Sequence, residues 1–542
     1  DPTADMEPEE ALHWHILRRK KDGVEAQIDA SVEKIGAVPT LNDVLLPAMK
    51  EVGDKFGAGE LILPFVLQSA EVMKRAVAQL ENYLDKLEGY TKGTVVLATV
   101  FGDVHDIGKS LVNTILTNNG YSVVDLGKQV PISAILDAAQ EHKATAIGLS
   151  ALLVSTSKQM PLAVQELHQQ GLEYPVLLGG AAINRKFGLR ALYPGGETSD
   201  EVYAPGVFYC KDAFEGLAVM DRLVEPARRE ELVEEIRGAA ADLRASGEVE
   251  EVLDTSDDSV RSAVHTDVPV PEPPFWGVRE ILVDTDELYT HLDTHVLFKL
   301  HWGGKGVKGE AWRQLLDDDF RPRLERMWRE ADYLAPRALL GYFPCFSEGN
   351  EIVVLDPDDQ ATEIERFVCP RQPKGDRLCL ADFFRPAGEL DVVALQAVTV
   401  GPEPTRLMAR LEADGEFAEQ LFVHGLSVQA AEGLAEWLHW RVRAELGIPA
   451  TQGRRYSWGY PAVPEQAEHK KVERLLGLER IGMRITDGFA PDPEQSTLAL
   501  VAHHPQAIYY GMRNGRLLAD GSPDDVIRGT ARDPSRFAPV AR

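Results

Sequence analysis

Between residues 102 and 109 the chain reads Gly-Asp-Val-His-Asp-Ile-Gly-Lys. His105 with carboxylates on either side, Asp103 and Asp106, has the makings of a metal ligand. Asp103 and His105 are two positions apart, so in an extended loop they point the same way. An imidazole that binds metal through one nitrogen usually gives its other N–H to a carboxylate, and Asp103 is placed to be that partner. One histidine is an incomplete zinc site, because zinc takes three or four protein ligands. It suits a metal already held by a macrocycle, where only an axial position is open. Taken alone, a histidine in a loop is more often a hydrogen-bonded surface residue. Gly102 and Gly108 let the backbone come close to a bulky ligand.

The elements around this loop alternate. Short apolar runs rich in β-branched residues occur at Thr94–Val100, Ser122–Leu126, Thr145–Leu149 and Pro175–Leu178, with helical stretches such as Ser110–Asn118 and Ile132–His142 between them. That alternation predicts a doubly wound, flavodoxin-like parallel sheet, which binds ligands beyond the carboxyl ends of its strands. Residues 1–90 read as about four helices, a small bundle. Leu41, Val44, Leu45, Ala48, Met49 and Val52 make one amphipathic stripe, with Gly53, Gly57 and Gly59 expected to break it. A second helix runs from about Pro64. Residues 226–270 carry a helix passing into a charged, Pro-rich linker. Residues 271–542 mix a helix at Ala430–Leu446 with strands at Glu351–Leu355, Val392–Val400, Thr497–Ala502 and Ile508–Met512, an α+β pattern. The expected division is therefore 1–90, 91–225, a linker at 226–270, and 271–542.

Composition excludes some functions. Lys and Arg total 57 against 86 Asp and Glu, for a net charge of −29. That argues against nucleic acid, whose phosphates need a positive surface. No run approaches the ~20 apolar residues of a membrane span. The four cysteines, at 210, 345, 369 and 379, form no C-x-x-C pair and suit a reducing cytoplasm. A start at Asp rather than Met is what a processed or excised piece would show.

The D-x-H-x-x-G segment resembles the cobalamin-binding motif of the methionine synthase family. Gly148–Leu153 resembles that family's S-x-L segment, and Gly179-Gly180-Ala181 its G-G. The resemblance implies that His105 is the axial ligand to cobalt, and that Gly102, Asp103, Val104, Asp106, Gly108, Ser150, Leu152, Val154, Gly179, Gly180 and Ala213 line the cofactor. It implies a proton relay from His105 through Asp103 to Thr156, where relatives have Ser. Val154 stands where relatives carry a Thr that contacts the corrinoid. Phe56 and Leu63 match a Phe and a Leu of the helical cap that shield the upper, methyl face.

Downstream, Arg455 with Gly459-Tyr460-Pro461-Ala462 matches the R-x-x-x-G-Y-P-A of the family's reactivation domain, which binds S-adenosylmethionine. Tyr509 and Tyr510 fall on its aromatic pair, and Asp293 on an acidic residue that holds the ligand's amino group. A carboxylate suits an ammonium, an Arg a carboxylate, and aromatic faces a sulfonium. The resemblance implies the cobalamin-carrying and reactivating half of a methyltransferase using methylcobalamin and S-adenosylmethionine. It implies flavodoxin or another reductase as electron donor. Folate- and homocysteine-binding modules, with their zinc, lie upstream in the family, and the family suggests a monomer. The alternatives are a non-enzymatic cobalamin carrier or sensor, or the corrinoid protein of another methyltransferase system. Residues 513–542 resemble nothing.

Overall fold

Apolar stripes of helical period account for the N-terminal bundle. In the computed structural model, which describes residues 2–80, 82–83, 91–196, 200–245, 261–373 and 375–511, helices Pro8–Arg18, Val24–Ile35, Leu46–Gly57 and Leu63–Leu80 pack around Leu12, Ile16, Ile28, Val52, Val66 and Met73. Helical turns at Ala37–Pro39 and Thr40–Leu45 run straight into Leu46–Gly57. Gly53 and Gly57, expected to break this helix, lie inside it, and only Gly59 takes a left-handed φ of 76°. Gly53 instead allows close packing, since a Cβ there would meet the Phe214 ring at 3.1 Å.

The parallel sheet follows. Strands β1 (Thr94–Thr99), β2 (Ser122–Asp125), β3 (Ala146–Ser150), β4 (Val176–Gly179) and β5 (Val207–Tyr209) lie in the order β2-β1-β3-β4-β5. All four neighbouring pairs are parallel. The β1 run Thr-Val-Val-Leu-Ala-Thr is apolar throughout because both of its faces are covered. Val96 and Ala98 face one core with Leu136 and Val164, and Val95 and Leu97 the other with Leu116 and Met220. β5 was not foreseen. The strand order runs outward in opposite directions from β1 and β3, which makes their carboxyl ends the switch point where such sheets bind ligands.

Within this fold, contact clustering separates two compact units. One comprises Asp1–Val249, Trp302–Lys308 and Met408–Phe422, and the other Glu250–His301, Gly309–Leu407 and Val423–Arg542. The second holds a seven-stranded sheet built from β6 (Gly277–Ile281), β7 (Arg337–Glu348), β8 (Glu351–Leu355), β9 (Glu363–Val368), β10 (Asp391–Thr399), β11 (Arg454–Tyr456) and β14 (Ser496–Ala502). A two-residue pair, β12 (Arg484–Ile485) and β13 (Pro491–Asp492), lies apart. Every pairing in the large sheet is antiparallel, and helix Phe417–Glu445 covers one face through Leu434, Leu438 and Val442.

Ile508–Met512 was expected as a strand. Residues 508–511 form no strand, only an isolated bridge at Tyr510, and Met512 lies outside the described residues. The Tyr456 hydroxyl donates to Ile508 O at 2.8 Å, and the Gln372 amide to Gly511 O at 2.6 Å. The expected linker is built in at both ends. Pro226–Ala245 is helical. Arg261 donates to the carbonyls of Asp382 and Phe384, and Ser262 to the Asp382 carboxylate. Residues 513–542 lie outside the described residues.

Candidate functional site

β1 ends at Thr99, and the chain then turns on Gly102, whose φ of 82° only glycine adopts without strain. Asp103 N–H closes the turn on Val100 O at 3.1 Å, and Gln129 N–H holds Asp103 O at 3.2 Å. This pins the loop to the end of β1. Asp103 is fully buried, and its carboxylate accepts five hydrogen bonds. Oδ1 takes His105 Nδ1 at 2.7 Å and His105 N–H at 3.1 Å. Oδ2 takes the Thr156 hydroxyl at 2.6 Å and the N–H groups of Leu152 and Leu153 at 2.8 and 3.3 Å. Burial pushes this carboxyl up, but the His105 ring and the Thr156 hydroxyl pull harder and set it at about 2, below the usual 3.8.

The structure therefore brings together His105 and Asp103, from the loop after β1, and Thr156, from the short helix Val154–Ser157 after β3. His105 is 19% exposed by its side chain. With Nδ1 on Asp103, Nε2 is the nitrogen that a metal would take. Among the described residues no three His, Cys, Asp or Glu side chains gather to hold a metal ion.

A cavity of about 440 Å³ opens beside the loop, lined among others by Gly148, Ser150, Gly179, Gly180, Cys210 and Ala213. Its lining is mainly apolar. Backbone leaves no room for a Cβ at Gly180, whereas at Gly148 only the end of the Leu97 side chain stands in the way. A Cβ on Gly148 would lie 2.4 Å from Leu97, and one on Gly180, at φ 130°, would lie 1.9 Å from Ala151 O. Gly108 also lines the cavity, and Val104 is buried beneath the loop. Asp106 turns away to pair with Lys128 at 3.3 Å. Leu152 is exposed in the loop after β3, and Phe101, not singled out in the sequence, is exposed in the loop after β1. The side chain of Val154 lies outside the described set. Lys109, also missed, is buried in the cavity wall and paired with Asp125. Burial pushes the Cys210 thiol up to about 12, so it is no nucleophile. These residues fit an axially ligated macrocycle with an appended tail.

Phe56 belongs to the apolar cluster that includes Leu111, Val112 and Ala213, three residues of the cavity wall. Phe56 packs on Phe214, ring centres 4.9 Å apart, and the Leu63 Cβ lies 3.4 Å from where a Gly303 Cβ would sit.

In the second unit, Arg455 pairs with Val501 of β14 and meets Glu432 at 3.3 Å. Glu432 went unnoticed in the sequence. The signal was there, since Glu432, Glu436, His439 and Arg443 recur at helical spacing on one side of Phe417–Glu445. Asp293 caps a helical turn, accepting from His295 N–H and Val296 N–H at 3.0 Å. Its neighbours His291 and Leu292 abut Gly433, one residue from Glu432. Asp293 and Arg455 thus flank one stretch of the same helix. Gly459, at φ 92°, opens a tight turn in which Val463 N–H bonds Tyr460 O at 2.9 Å. Pro461 and Ala462 complete that turn, and Tyr460 is exposed. Tyr509 meets Tyr456 edge-on at 5.6 Å, whereas Tyr510 is buried with its hydroxyl unbonded.

A histidine–carboxylate pair at the switch point of a doubly wound sheet, beside a glycine-shaped cavity, defines a corrinoid-binding protein. Residues 93–206 match the B12 binding domain family, residues 8–81 a second B12 binding domain family, and residues 304–520 the activation domain of vitamin B12 dependent methionine synthase. The methionine synthase of Mycobacterium leprae (strain TN) is 39% identical over 92% of this chain and 46% of its own length. That of Mycobacterium tuberculosis (strain ATCC 25618 / H37Rv) is 38% identical over 93% and 46%. The chain spans about half the length of these relatives. A solved MetH reactivation domain bound to AdoHcy aligns at 28% identity and a TM-score of 0.40, over 46% of this chain and 84% of that one. The chain belongs to the vitamin B12 dependent methionine synthase family and corresponds to its C-terminal half. No helix among the described residues is long and apolar enough to cross a membrane.

Proposed function

We propose that this chain carries cobalamin on His105 and reactivates it with S-adenosylmethionine, as half of a methyltransferase that methylates homocysteine. The observation that carries the reading is the His105–Asp103–Thr156 array beside a cavity lined by Gly148, Gly179 and Gly180. Bound cobalamin supplies a cobalt that accepts and gives up a methyl group and that a stray oxidation inactivates. Asp103, accepting from Nδ1–H, fixes the imidazole tautomer that leaves Nε2 for the metal. If Nε2 carried a proton from solvent in place of the metal, the Asp103 carboxylate would stabilise the resulting imidazolium. The Thr156 hydroxyl holds the other oxygen of that carboxylate and so tunes the exchange. Gly148, Gly179 and Gly180 admit the nucleotide tail.

Within the C-terminal unit, Arg455 would take the carboxylate of S-adenosylmethionine, and Asp293 or Glu432 its ammonium. Tyr509 would offer an aromatic face to the sulfonium. Folate- and homocysteine-binding modules and a reductase such as flavodoxin complete the cycle, in the cytoplasm. Boundaries at 1–90, 91–225, 226–270 and 271–542 are the division we favour. The test is the visible spectrum of methylcobalamin with the protein and with His105→Ala. A base-on spectrum that turns base-off in the variant supports the reading. Identical spectra remove its centre.

A further inference from the structure

Helix Phe417–Glu445 buries Glu436, His439 and Arg443 and sets the half-buried Glu432 one turn before them. Arg443 is 5% exposed. Its Nη1 lies 3.7 Å from Glu436 Oε1, its Nε donates to Gln452 O at 2.9 Å, and its Nη2 to Gly453 O at 3.4 Å. These two carbonyls belong to the turn that feeds β11, two residues before Arg455. The Gln452 amide ties the same turn to His503 O at 2.9 Å. Gly453, at φ 74°, sits so close to β14 that a Cβ would be 2.8 Å from Ala502 O. The turn is fixed from the helix side by one guanidinium and from the sheet side by backbone contact.

We infer that Arg443 is a positioning residue for Arg455, holding its strand so that the Arg455 guanidinium meets the carboxylate of an amino-acid ligand, with Glu436 as counter-ion. The inference rests on the reading of this unit as an S-adenosylmethionine site. Glu432 and Glu436 set carboxylates beside the guanidiniums of Arg455 and Arg443, so the cluster meets both charges of the zwitterionic head of an α-amino acid. Lysine cannot replace Arg443, because one ammonium cannot serve a carboxylate and two carbonyls in that fork.

The experiment is calorimetric titration of the full chain with S-adenosylhomocysteine and with 5′-methylthioadenosine, which has the nucleoside and thioether but no amino-acid head. Arg443→Lys is expected to lose tenfold or more in affinity for S-adenosylhomocysteine and to stay within twofold for methylthioadenosine. Glu436→Gln should show the same split more weakly, and serves if Arg443→Lys does not fold. Equal losses for both ligands would mean a merely structural role and overturn the inference. Unchanged binding of S-adenosylhomocysteine would overturn it too. A parent protein that binds no S-adenosylhomocysteine overturns the site reading itself, a result distinct from either.

Discussion

Replacing Thr156 with Val removes one of the five donors on a carboxylate that has no water to fall back on. The hydroxyl lies 2.6 Å from Asp103 Oδ2, with Leu153 O at 3.1 Å as its longer alternative. A hydrogen bond to a charged group contributes about 1.5–3 kcal/mol, so Thr156→Val should lower unfolding free energy at pH 7 by about that much. A pH signature separates this from simple misfit. Asp103 is held at about 2 against 3.8. A lowered carboxyl stabilises the fold above about pH 4, and that stability is lost as pH falls through 2. The gap corresponds to about 2 kcal/mol at 1.36 kcal/mol per unit. In the variant the gap narrows, so urea unfolding followed from pH 5 to pH 2 should depend less on pH. Thr156→Ser should restore the parent behaviour. A variant that loses stability equally at every pH would refute the claim that the hydroxyl acts through Asp103.

Three further outcomes follow from the same geometry. Gly180→Ala must push its Cβ against Ala151 O at a φ that L residues avoid, and should cost about 1–3 kcal/mol in thermal or urea unfolding together with a tenfold or greater loss of cobalamin affinity. Parent-like binding would show that the cavity is not the cofactor's. His301 and His439 are both pushed down to about 4 by burial, so the unfolded chain takes up protons that the fold refuses. Stability should fall between pH 6.5 and pH 4, by up to about 3 kcal/mol per histidine, and His439→Gln should narrow the fall measured by urea midpoints. Arg455→Met should abolish calorimetric binding of S-adenosylhomocysteine and leave the cobalamin spectrum untouched, and a change in that spectrum would argue against separate sites.

The sheet was legible because its strands are buried on both faces and so read as unbroken apolar runs, as at Thr94–Thr99. The Asp103–His105 pair was legible because it is local, two positions apart in one loop. β5 was not, since Val207–Tyr209 is too short to carry a period. Glu432 and Arg455 are 23 positions apart and meet only through the fold, though the polar stripe on the helix hinted at an interior use. Residues 261–268 read as linker because of their prolines and charges. What holds Arg261 and Ser262 is Asp382, about 120 positions on, and no local pattern reports that. Phe56 and Leu63 fitted an apolar stripe and a family motif equally well, and sequence cannot say which neighbour a core residue meets.

Asp103 does more than orient a ring. By accepting the Leu152 and Leu153 amides it also fastens the loop after β3 to the loop after β1. Those two amide protons are therefore built-in reporters. Their exchange with deuterated solvent is slowed only while the carboxylate stays in place, so the lifetime of that bridge can be read at two backbone sites without touching the metal. An exchange measurement on the apoprotein and again after loading would time how often the imidazole's anchor lets go, a rate that absorption spectra average away.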